Sequence, residues 1–371
     1  MKDANSSAKK NEHVGFVTVG QAGGNVGKEL MKRGYEVLFL NSSLQDLETL
    51  GDITHFYHIK SGEGSAGDRN KVMELAETDI DNIIAEINAK ILCEHVFVIF
   101  SAGGGTGSGL SPALIHIIAT QTSKKVGACV ILPDSNEVAR VLLNAYECVY
   151  ELSEIKEMGA CFFIDNNSLP NRHDINKIFA TTFDSFIQAA KHHSIDGNID
   201  LEEVKTLLST PGAAVLGATR KYTCTEPKDG RQSPVTPERI SASLTQALRK
   251  GIFAPIENDR LLTRMGISTA DDLSIEVLRQ EFGEWDIFQG RNPDQNVVIL
   301  TGLSFPHERL TEIKETAEKK LAEREEKKQA PKRLLEPPSF RKEAGTPEGE
   351  AAESKDKKAI LSRYLKRGRQ P

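Results

Sequence analysis

The chain has 371 residues, of which 39% are hydrophobic and 27% charged, and its formal net charge is −6. This length exceeds that of one ordinary hydrophobic core, so we expect two domains. No apolar run is long enough to span a membrane, and residues 1–10 lack the apolar centre of a signal peptide. The five cysteines form no C-x-x-C pair, and the histidines have no metal-binding spacing. We therefore expect free thiols in the cytoplasm, no zinc site and no stable membrane association.

The first half of the chain alternates apolar strand patterns with helical patterns, which predicts an α/β sheet. Glycine-rich turns follow the first and fourth strands, and a long central helix is expected from Asp174 to about His193. Strands are predicted at 14–19, 35–41, 54–59, 96–100, 125–132 and 159–164, and further helices to about residue 33, over about 69–91 and to about 156.

The fourth strand runs into Ser101–Gly109, whose last seven residues include five glycines. We expect this glycine run to lack regular structure, with a helix beginning beside Pro112 and capped by Thr106, Ser108 or Ser111. A strand, a glycine turn and a helix N-terminus together present backbone N–H groups to an anion. A flexible linker is the alternative, but linkers are not bracketed by a buried strand and an apolar helix. The pattern therefore predicts a phosphate loop.

The sequence of this loop differs from the common phosphate loops. No lysine lies between His95 and Lys124, which excludes the P-loop pattern. A dinucleotide-binding fingerprint should open the first strand–helix unit, whereas this loop comes later. Gly103–Gly109 instead resembles the signature of the tubulin/FtsZ superfamily of GTPases, and the turn Gly20–Gly27 resembles its first phosphate loop.

The resemblance implies that GTP and Mg²⁺ bind where the strands end. It implies phosphate contacts from Gly20, Gln21, Ala22, Gly23, Gly24 and Asn25, from Asn41 after the second strand, from a γ-phosphate loop of Gly64, Ser65, Ala66 and Gly67, and from Ser101, Ala102, Gly103, Gly104, Gly105, Thr106, Gly107 and Ser108. Further along the chain it implies contacts to the ribose and phosphates from Glu137 and Arg140, a nucleotide contact from Pro133, and base contacts from Asn166, Phe183 and Asp184.

Some of these positions have a structural alternative. Glu137 and Arg140 also fit an ordinary charge pair at a helix start. Phe183 stands where the family carries a base-contacting asparagine, so it either stacks on the base or is a core residue, and Asp184 would then make the polar contact. Asn166 has an amide that can both donate to and accept from a guanine edge.

Asn198-Ile-Asp200, with Glu203 three residues later, resembles the catalytic loop of FtsZ, where an acid orients the attacking water. The same spacing fits a helix start in which Asp200 is the N-cap and Glu203 its capping-box partner. The resemblance implies that this loop enters the nucleotide site of a neighbouring subunit. Head-to-tail stacking of unlike surfaces would then produce filaments.

The last third of the chain carries fewer motifs. A strand is predicted at 213–219, helices at 238–249, 270–281 and 307–328, and a strand at 296–301. Proline and glycine among charged residues predict a disordered linker over 331–354, followed by a basic segment, 355–369, with apolar residues at helical spacing. That segment is expected to bind an adaptor protein or an acidic surface such as DNA.

The combined reading is a Rossmann-like GTPase domain, a central helix, a smaller α+β domain and a disordered tail. The predicted bounds are 1–12 for a flexible arm, 13–171 for the GTP-binding domain, 172–195 for the central helix, 196–330 for the second domain and 331–371 for the tail. The resemblance implies a cytoskeletal GTPase, more like the TubZ branch, which moves plasmid or phage DNA through a centromere-binding adaptor, than like cell-division FtsZ. An NAD-binding oxidoreductase is the alternative from another class.

Overall fold

The computed structural model describes residues 11–59, 63–192, 197–222, 236–257, 263–283 and 285–329. Its strands are β1 (Asn11–Val19), β2 (Tyr35–Asn41), β3 (His55–His58), β4 (His95–Ser101), β5 (Lys125–Leu132), β6 (Ala160–Asp165), β7 (Gly212–Arg220), β8 (Arg264–Thr269), β9 (Asp286–Arg291) and β10 (Gln295–Leu303). Its helices are α1 (Gly20–Met31), α2 (Leu44–Thr49), α3 (Arg69–Glu77), α4 (Ile80–Lys90), α5 (Gly105–Gln121), α6 (Ala139–Ser153), α7 (Arg172–Ile187), α8 (Leu201–Ser209), α9 (Pro237–Arg249), α10 (Ile275–Phe282) and α11 (His307–Gln329). The predicted α/β class is confirmed.

The strands of the described residues form one sheet in the order β3-β2-β1-β4-β5-β6-β7-β10-β8-β9. Strands β1 to β7 are parallel, β10 is antiparallel to both of its neighbours, and β9 is parallel to β8. After β1 the chain adds β2 and β3 on one side of the sheet, and after β4 it adds β5, β6 and β7 on the other side. This reversal leaves a crevice at the carboxyl ends of β1 and β4, where open α/β sheets bind their ligands.

Helices cover both faces of the sheet, which is why its central strands are almost wholly apolar. The side chains of 96–100 in β4 are at most 1% exposed. Right-handed crossovers place α1 and α5 on opposite faces, since they lead in opposite directions from the reversal. Accordingly, α1 packs against α7, whereas α5 packs with α3 and α6.

The predicted central helix is α7, and it crosses the sheet from its carboxyl edge to its amino edge. It follows β6 and ends beside the start of β2, where the Tyr35 hydroxyl donates to Asp184 over 2.9 Å. An aromatic cluster holds it in place: the Phe183 ring lies 5.5 Å from Phe16 and 5.6 Å from Phe97, edge to face. With 16 residues, α7 spans about 24 Å at the usual rise per residue.

Several predicted boundaries differ from the structure. The helix expected over 69–91 is broken into α3 and α4 around Asp79, whose buried carboxylate accepts a hydrogen bond from the Tyr57 hydroxyl, 2.9 Å from both carboxylate oxygens. The central helix ends at Ile187 in a 3-10 turn, Gln188–Lys191. Helix α2 and strands β8 and β9 were not predicted, because their short sequences carry no clear periodicity.

The predicted division at residues 171 and 195 stays a prediction. Pairing of β6 with β7 continues the sheet from one predicted domain into the other. The predicted tail, 331–371, and most of the N-terminal arm lie outside the described residues. Among the helices that the structure describes, none is long and apolar enough to cross a bilayer.

His95 joins the sheet to α8. It is 2% exposed at the start of β4, and its Nε2 lies 3.0 Å from the Ser209 hydroxyl at the end of α8. Burial lowers the pKa of His95 below its usual value and outweighs the opposite effect of the neighbouring Glu94 carboxylate. The folded protein therefore favours the neutral imidazole.

We expect acid to weaken the fold through this group. Below the usual histidine pKa of about 6.5 the unfolded chain binds a proton that the folded chain resists, so the free energy of unfolding falls as the pH drops. In His95→Gln the amide keeps a contact with Ser209 but cannot titrate, so urea unfolding between about pH 7 and pH 5 should show a smaller decline than in the wild type. The exposed His116→Gln is the control, and equal pH slopes in all three proteins would contradict this linkage.

Candidate active site

Two helix N-termini meet at the crevice between β1 and β4. A Cβ built at Gly20, the first residue of α1, would lie 3.5 Å from the Gly107 backbone nitrogen and 3.7 Å from the Thr106 Cβ in α5. Neither helix has a side-chain cap or an acidic residue in its first turn, and the same holds for α6. The first N–H groups of a helix have no partner within it, so these ends are suited to an anion.

The glycine run itself is helical, which corrects the expected irregular loop. Helix α5 begins at Gly105, its N-cap is Gly104, and Pro112 lies inside it. Thr106, Ser108 and Ser111 are therefore not caps. Likewise α1 begins at Gly20, so the first glycine-rich segment is a helix start and not a separate turn.

Close packing explains why glycine is needed at Gly105. A Cβ there would overlap the Ser65 hydroxyl and lie 2.8 Å from the Gly67 Cα. The predicted γ-phosphate loop thus packs directly against the start of α5. Its conformation is unusual, since Ala66 has φ +51° between Gly64 at +86° and Gly67 at +78°.

Buried hydroxyls line the junction of these segments. The Ser42 Oγ lies 2.8 Å from the Thr106 Oγ1, which is 3.5 Å from the Ser65 Oγ. The Gly64 N–H donates to the Ser42 carbonyl over 2.8 Å. The turn after β2, the γ-phosphate loop and α5 are therefore one connected unit.

Helix α6 contributes an amide and a cation. The Asn144 Nδ2 donates to the Gly67 carbonyl over 3.1 Å and to the Gly103 carbonyl over 3.2 Å. The sequence carried no signal for Asn144, because both contacts are distant along the chain. Arg140 is exposed, and its guanidinium packs over Gly67 without a hydrogen bond or ion pair to any other described residue. It is available to an anionic ligand.

The predicted ribose and base residues lie on neighbouring loops at the same edge. Glu137 forms an ion pair with Arg172 over 2.7 Å rather than with Arg140. The Asn166 side chain is half-buried and makes no hydrogen bond to another described residue. Pro133 ends β5 beside these loops.

The residues at the start of α1, where the first phosphate loop was predicted, differ in their exposure to solvent. Gly23 and Gly24 are buried in α1, Ala22 and Asn25 are half-buried, and Gln21 is exposed, with its amide 3.5 Å from the Thr49 hydroxyl. The Asn41 amide is 1% exposed and bonds to Asp46 and to the Ser43 N–H. Asn41 therefore shapes the turn after β2.

The structure contradicts the expected base contacts in α7. Phe183 is fully buried among aromatic rings, so it has no face for a base to stack on. Asp184 accepts hydrogen bonds from Tyr35 and Gln188 near the amino edge of the sheet, at the opposite end of α7 from the crevice. The asparagine of α7 is Asn176, half-buried in its second turn and near the carboxyl edge. The predicted alignment of α7 with the family was shifted along the helix by about two turns. The only asparagine within α7, Asn176, marks the alignment that places an amide near the crevice.

Asp200 and Glu203 form the capping box that their spacing predicted. The Glu203 N–H donates to Asp200 Oδ1 over 2.8 Å, and the Asp200 N–H donates to Glu203 Oε2 over 2.9 Å. Each carboxylate thus uses one oxygen in the cap and keeps the other for a further partner. Asp200 is exposed and Glu203 half-buried.

The loop that carries these acids is held by β9. A Cβ at Gly290 would lie 2.5 Å from the Ile199 nitrogen, and the Arg291 N–H donates to the Gly197 carbonyl over 3.3 Å. Asn198, which is exposed, stands in the same loop. Only a strand without a side chain at residue 290 lets the loop approach so closely.

The acids and the crevice lie near opposite ends of α7. The loop follows the far end of α7, and α8 ends against His95 at the amino end of β4. The two ends of α7 are about 24 Å apart. Asp200 and Glu203 therefore do not face the crevice of their own chain.

The GTPase domain of the Tubulin/FtsZ family matches residues 13–174. A tubulin-like protein TubZ from Clostridium botulinum C phage is 30% identical over 325 residues, which cover 85% of this chain and 86% of that protein. The chain belongs to the tubulin/FtsZ family. It is a GTPase of that family, which excludes the NAD-binding oxidoreductase.

Solved structures of the family agree with this fold. The crystal structure of Clostridium botulinum phage c-st TubZ has a TM-score of 0.72 and 28% identity, covering 85% of this chain and 99% of that one. A GTPγS-form protofilament of Bacillus thuringiensis serovar israelensis TubZ has a TM-score of 0.74 at 18% identity, covering 88% and 97%. The second likeness concerns the fold alone.

We expect Gly105→Ala to lower the free energy of unfolding by about 1–3 kcal/mol, because its Cβ overpacks against the γ-phosphate loop. Gly104→Ala is the matched control: its Cβ meets only the Ser101 Cβ, at 4.0 Å, so it should stay within about 0.5 kcal/mol of the wild type. Urea unfolding without nucleotide measures both. Equal losses in the two variants would contradict the close approach of the loop.

Proposed function

We propose that this GTPase assembles head to tail into filaments and hydrolyses GTP between neighbouring subunits. One observation carries the proposal: the uncapped helix ends and the acids Asp200 and Glu203 lie near opposite ends of α7. In a head-to-tail stack the acids of one protomer face the crevice of the next. The interface is open-ended, so stacking continues.

The phosphates would bind to the N–H groups that begin α1, α5 and α6, with the Arg140 guanidinium alongside. These donors point at the crevice before substrate arrives, which favours stabilisation of the negative charge of phosphoryl transfer. In the partner subunit, the oxygens of Asp200 and Glu203 that the capping box does not use would accept a proton from the attacking water and orient it.

The oxygen atoms at the crevice are also suitable ligands for Mg²⁺. Its hydroxyls and amides supply neutral oxygen ligands, and no cluster of three acidic, histidine or cysteine side chains occurs among the described residues. Mg²⁺ commonly takes few protein ligands and relies on phosphate oxygens and water. Gln21 would contact such a water, and the ion would neutralise phosphate charge.

Guanine recognition would come from two amides. Asn166 has an unengaged side chain beside the crevice, and Asn176 lies in the second turn of α7. An amide both donates and accepts, which suits the carbonyl and N–H groups of a guanine edge. Glu137 would contact the ribose from the loop after β5.

The variants Asp200→Asn and Glu203→Gln separate catalysis from helix capping. Both amides preserve a capping box, so the fold should be unaffected, but neither can accept the proton of water. We expect GTP to bind normally and kcat to fall by roughly 100-fold, with over-stable filaments. Glu202→Gln, whose side chain is 78% exposed, is the control and should retain activity.

Steady-state hydrolysis against protein concentration completes this test. Because each complete site needs two subunits, the specific activity of the wild type should rise above a threshold concentration. Full activity in dilute monomers would refute the shared site. Wild-type rates in Asp200→Asn would show instead that the capping box is the whole role of these residues.

We also propose that the filaments move plasmid or phage DNA in the cytoplasm. The support is the similarity to TubZ together with the basic segment 355–369 and its linker 331–354, which lie outside the described residues. The segment would bind a centromere-binding adaptor through its apolar residues and DNA through its charge. Cell division is the second candidate, because cell division protein FtsZ 2 of Methanocaldococcus jannaschii is 25% identical over 320 residues.

Deletion of residues 355–371 should leave GTP hydrolysis and filament formation close to wild type, because the site lies in other parts of the chain. Capture of DNA through the adaptor should be lost. The measurement is co-pelleting of a centromere–adaptor complex with filaments of the full-length and shortened proteins. Equal capture by both would contradict docking through the tail.

A further inference from the structure

The loops that carry Glu137 and Asn166 are bound to each other by side chains. The Asn167 Nδ2 donates to the Ser135 Oγ over 2.8 Å, and the Asn167 Oδ1 accepts from the Ser135 N–H over 3.0 Å. The ion pair between Glu137 and Arg172 adds a second connection. The ribose and base loops therefore form one unit, which we call the paired loops (133–138 and 165–171).

Arg309 of α11 lies beneath the paired loops and is 4% exposed. Its Nε and Nη2 donate to the Asp165 carboxylate over 2.8 and 3.2 Å, and its Nη2 also donates to the Pro133 carbonyl over 2.8 Å. Its Nη1 lies 3.3 Å from the Ser135 hydroxyl and 3.2 Å from the Glu312 carboxylate. One guanidinium thus contacts both loops, and Asp165 immediately precedes Asn166.

Lys320, three helical turns after Arg309 in α11, binds the first loop. Its Nζ donates to the Ser135 carbonyl over 2.8 Å and to the Glu137 carbonyl over 2.6 Å. Residues 309 and 320 share a face of the helix because eleven residues are close to three full turns. The two cations therefore hold the loop at both ends.

These contacts orient backbone groups more than they add stability. A buried ion pair gives little net stability, since desolvation offsets its attraction. Binding groups, however, must be held within about 0.5 Å of their working geometry. A loop whose carbonyls are bound by fixed donors presents the Glu137 carboxylate and the Asn166 amide in one orientation.

We propose that Arg309 and Lys320 are positioning residues for the nucleotide, so that α11 is part of the nucleotide site. This inference rests on the proposed role of Glu137 and Asn166. The matched GTPase domain ends at residue 174, so this part of the site lies outside it. The C-terminal helix thereby sets how tightly the ribose and base are held, while the N–H groups that begin α1 and α5, which lie outside the paired loops, still bind the phosphates.

Lys320→Met tests the proposal, because it removes the ammonium and keeps the apolar stem of a half-buried side chain. Binding of GDP and of a non-hydrolysable GTP analogue, measured by calorimetry, should weaken by roughly tenfold, while kcat at saturating GTP stays within about twofold, since the starts of α1 and α5 still position the phosphates. Lys320→Arg should restore binding because a guanidinium also donates to two carbonyls. Lys319→Met, on the exposed adjacent position, should bind like the wild type.

The outcomes separate this proposal from the one on which it rests. Weaker binding in Asn166→Ala together with wild-type binding in Lys320→Met would overturn the positioning role alone. Wild-type binding in both variants would overturn the base and ribose assignment as well. If Lys320→Met lowered the urea midpoint without nucleotide as much as it weakened binding, and Lys320→Arg restored neither, the contact would be a structural one only. Arg309→Lys, which keeps the buried charge, should weaken binding in the same way.

Discussion

The arrangement of the candidate active site depends on the close approach of two helix N-termini at the reversal between β1 and β4. Each end carries roughly half a positive charge, so two uncapped ends side by side repel each other until an anion lies between them. Gly20 has a φ of +76° at the start of α1, a conformation that favours glycine, and Gly105 leaves room for the γ-phosphate loop to pack against the start of α5. The hydroxyls of Ser42, Ser65 and Thr106 then connect the segments that a phosphate would touch. A bound polyphosphate thus stabilises the arrangement of several elements together.

Much of the sheet and the order of its helices could be predicted from the sequence, because buried parallel strands such as 96–100 are uninterrupted apolar runs. The predictions failed where distant contacts override local preference. Glycine disfavours helices, yet packing against β4 and the γ-phosphate loop makes Gly105–Gly109 helical. The break between α3 and α4 lies at Asp79, whose carboxylate accepts a hydrogen bond from Tyr57, some twenty residues earlier in the chain.

The site was predicted in the same uneven way. Glycine-rich helix starts and the spacing of Asp200 and Glu203 are local patterns, and both were identified. Asn144, Arg309 and Lys320 bind loops far away in sequence, so no motif surrounds them. Phe183 was misassigned because a helix of aromatic core residues offers several plausible registers, and only three-dimensional packing shows which end of α7 lies near the crevice.

The position of the acids at the end of α7 far from the crevice gives the protomer a direction. In a head-to-tail stack, each internal nucleotide would face a pair of carboxylates, while the last nucleotide at one end would have none. That terminal nucleotide would outlast the others, and the opposite end would expose acids with nothing to hydrolyse. The two tips of a filament would then differ chemically and lose subunits at different rates. A filament that gained subunits at one tip and lost them at the other would then move along its own axis.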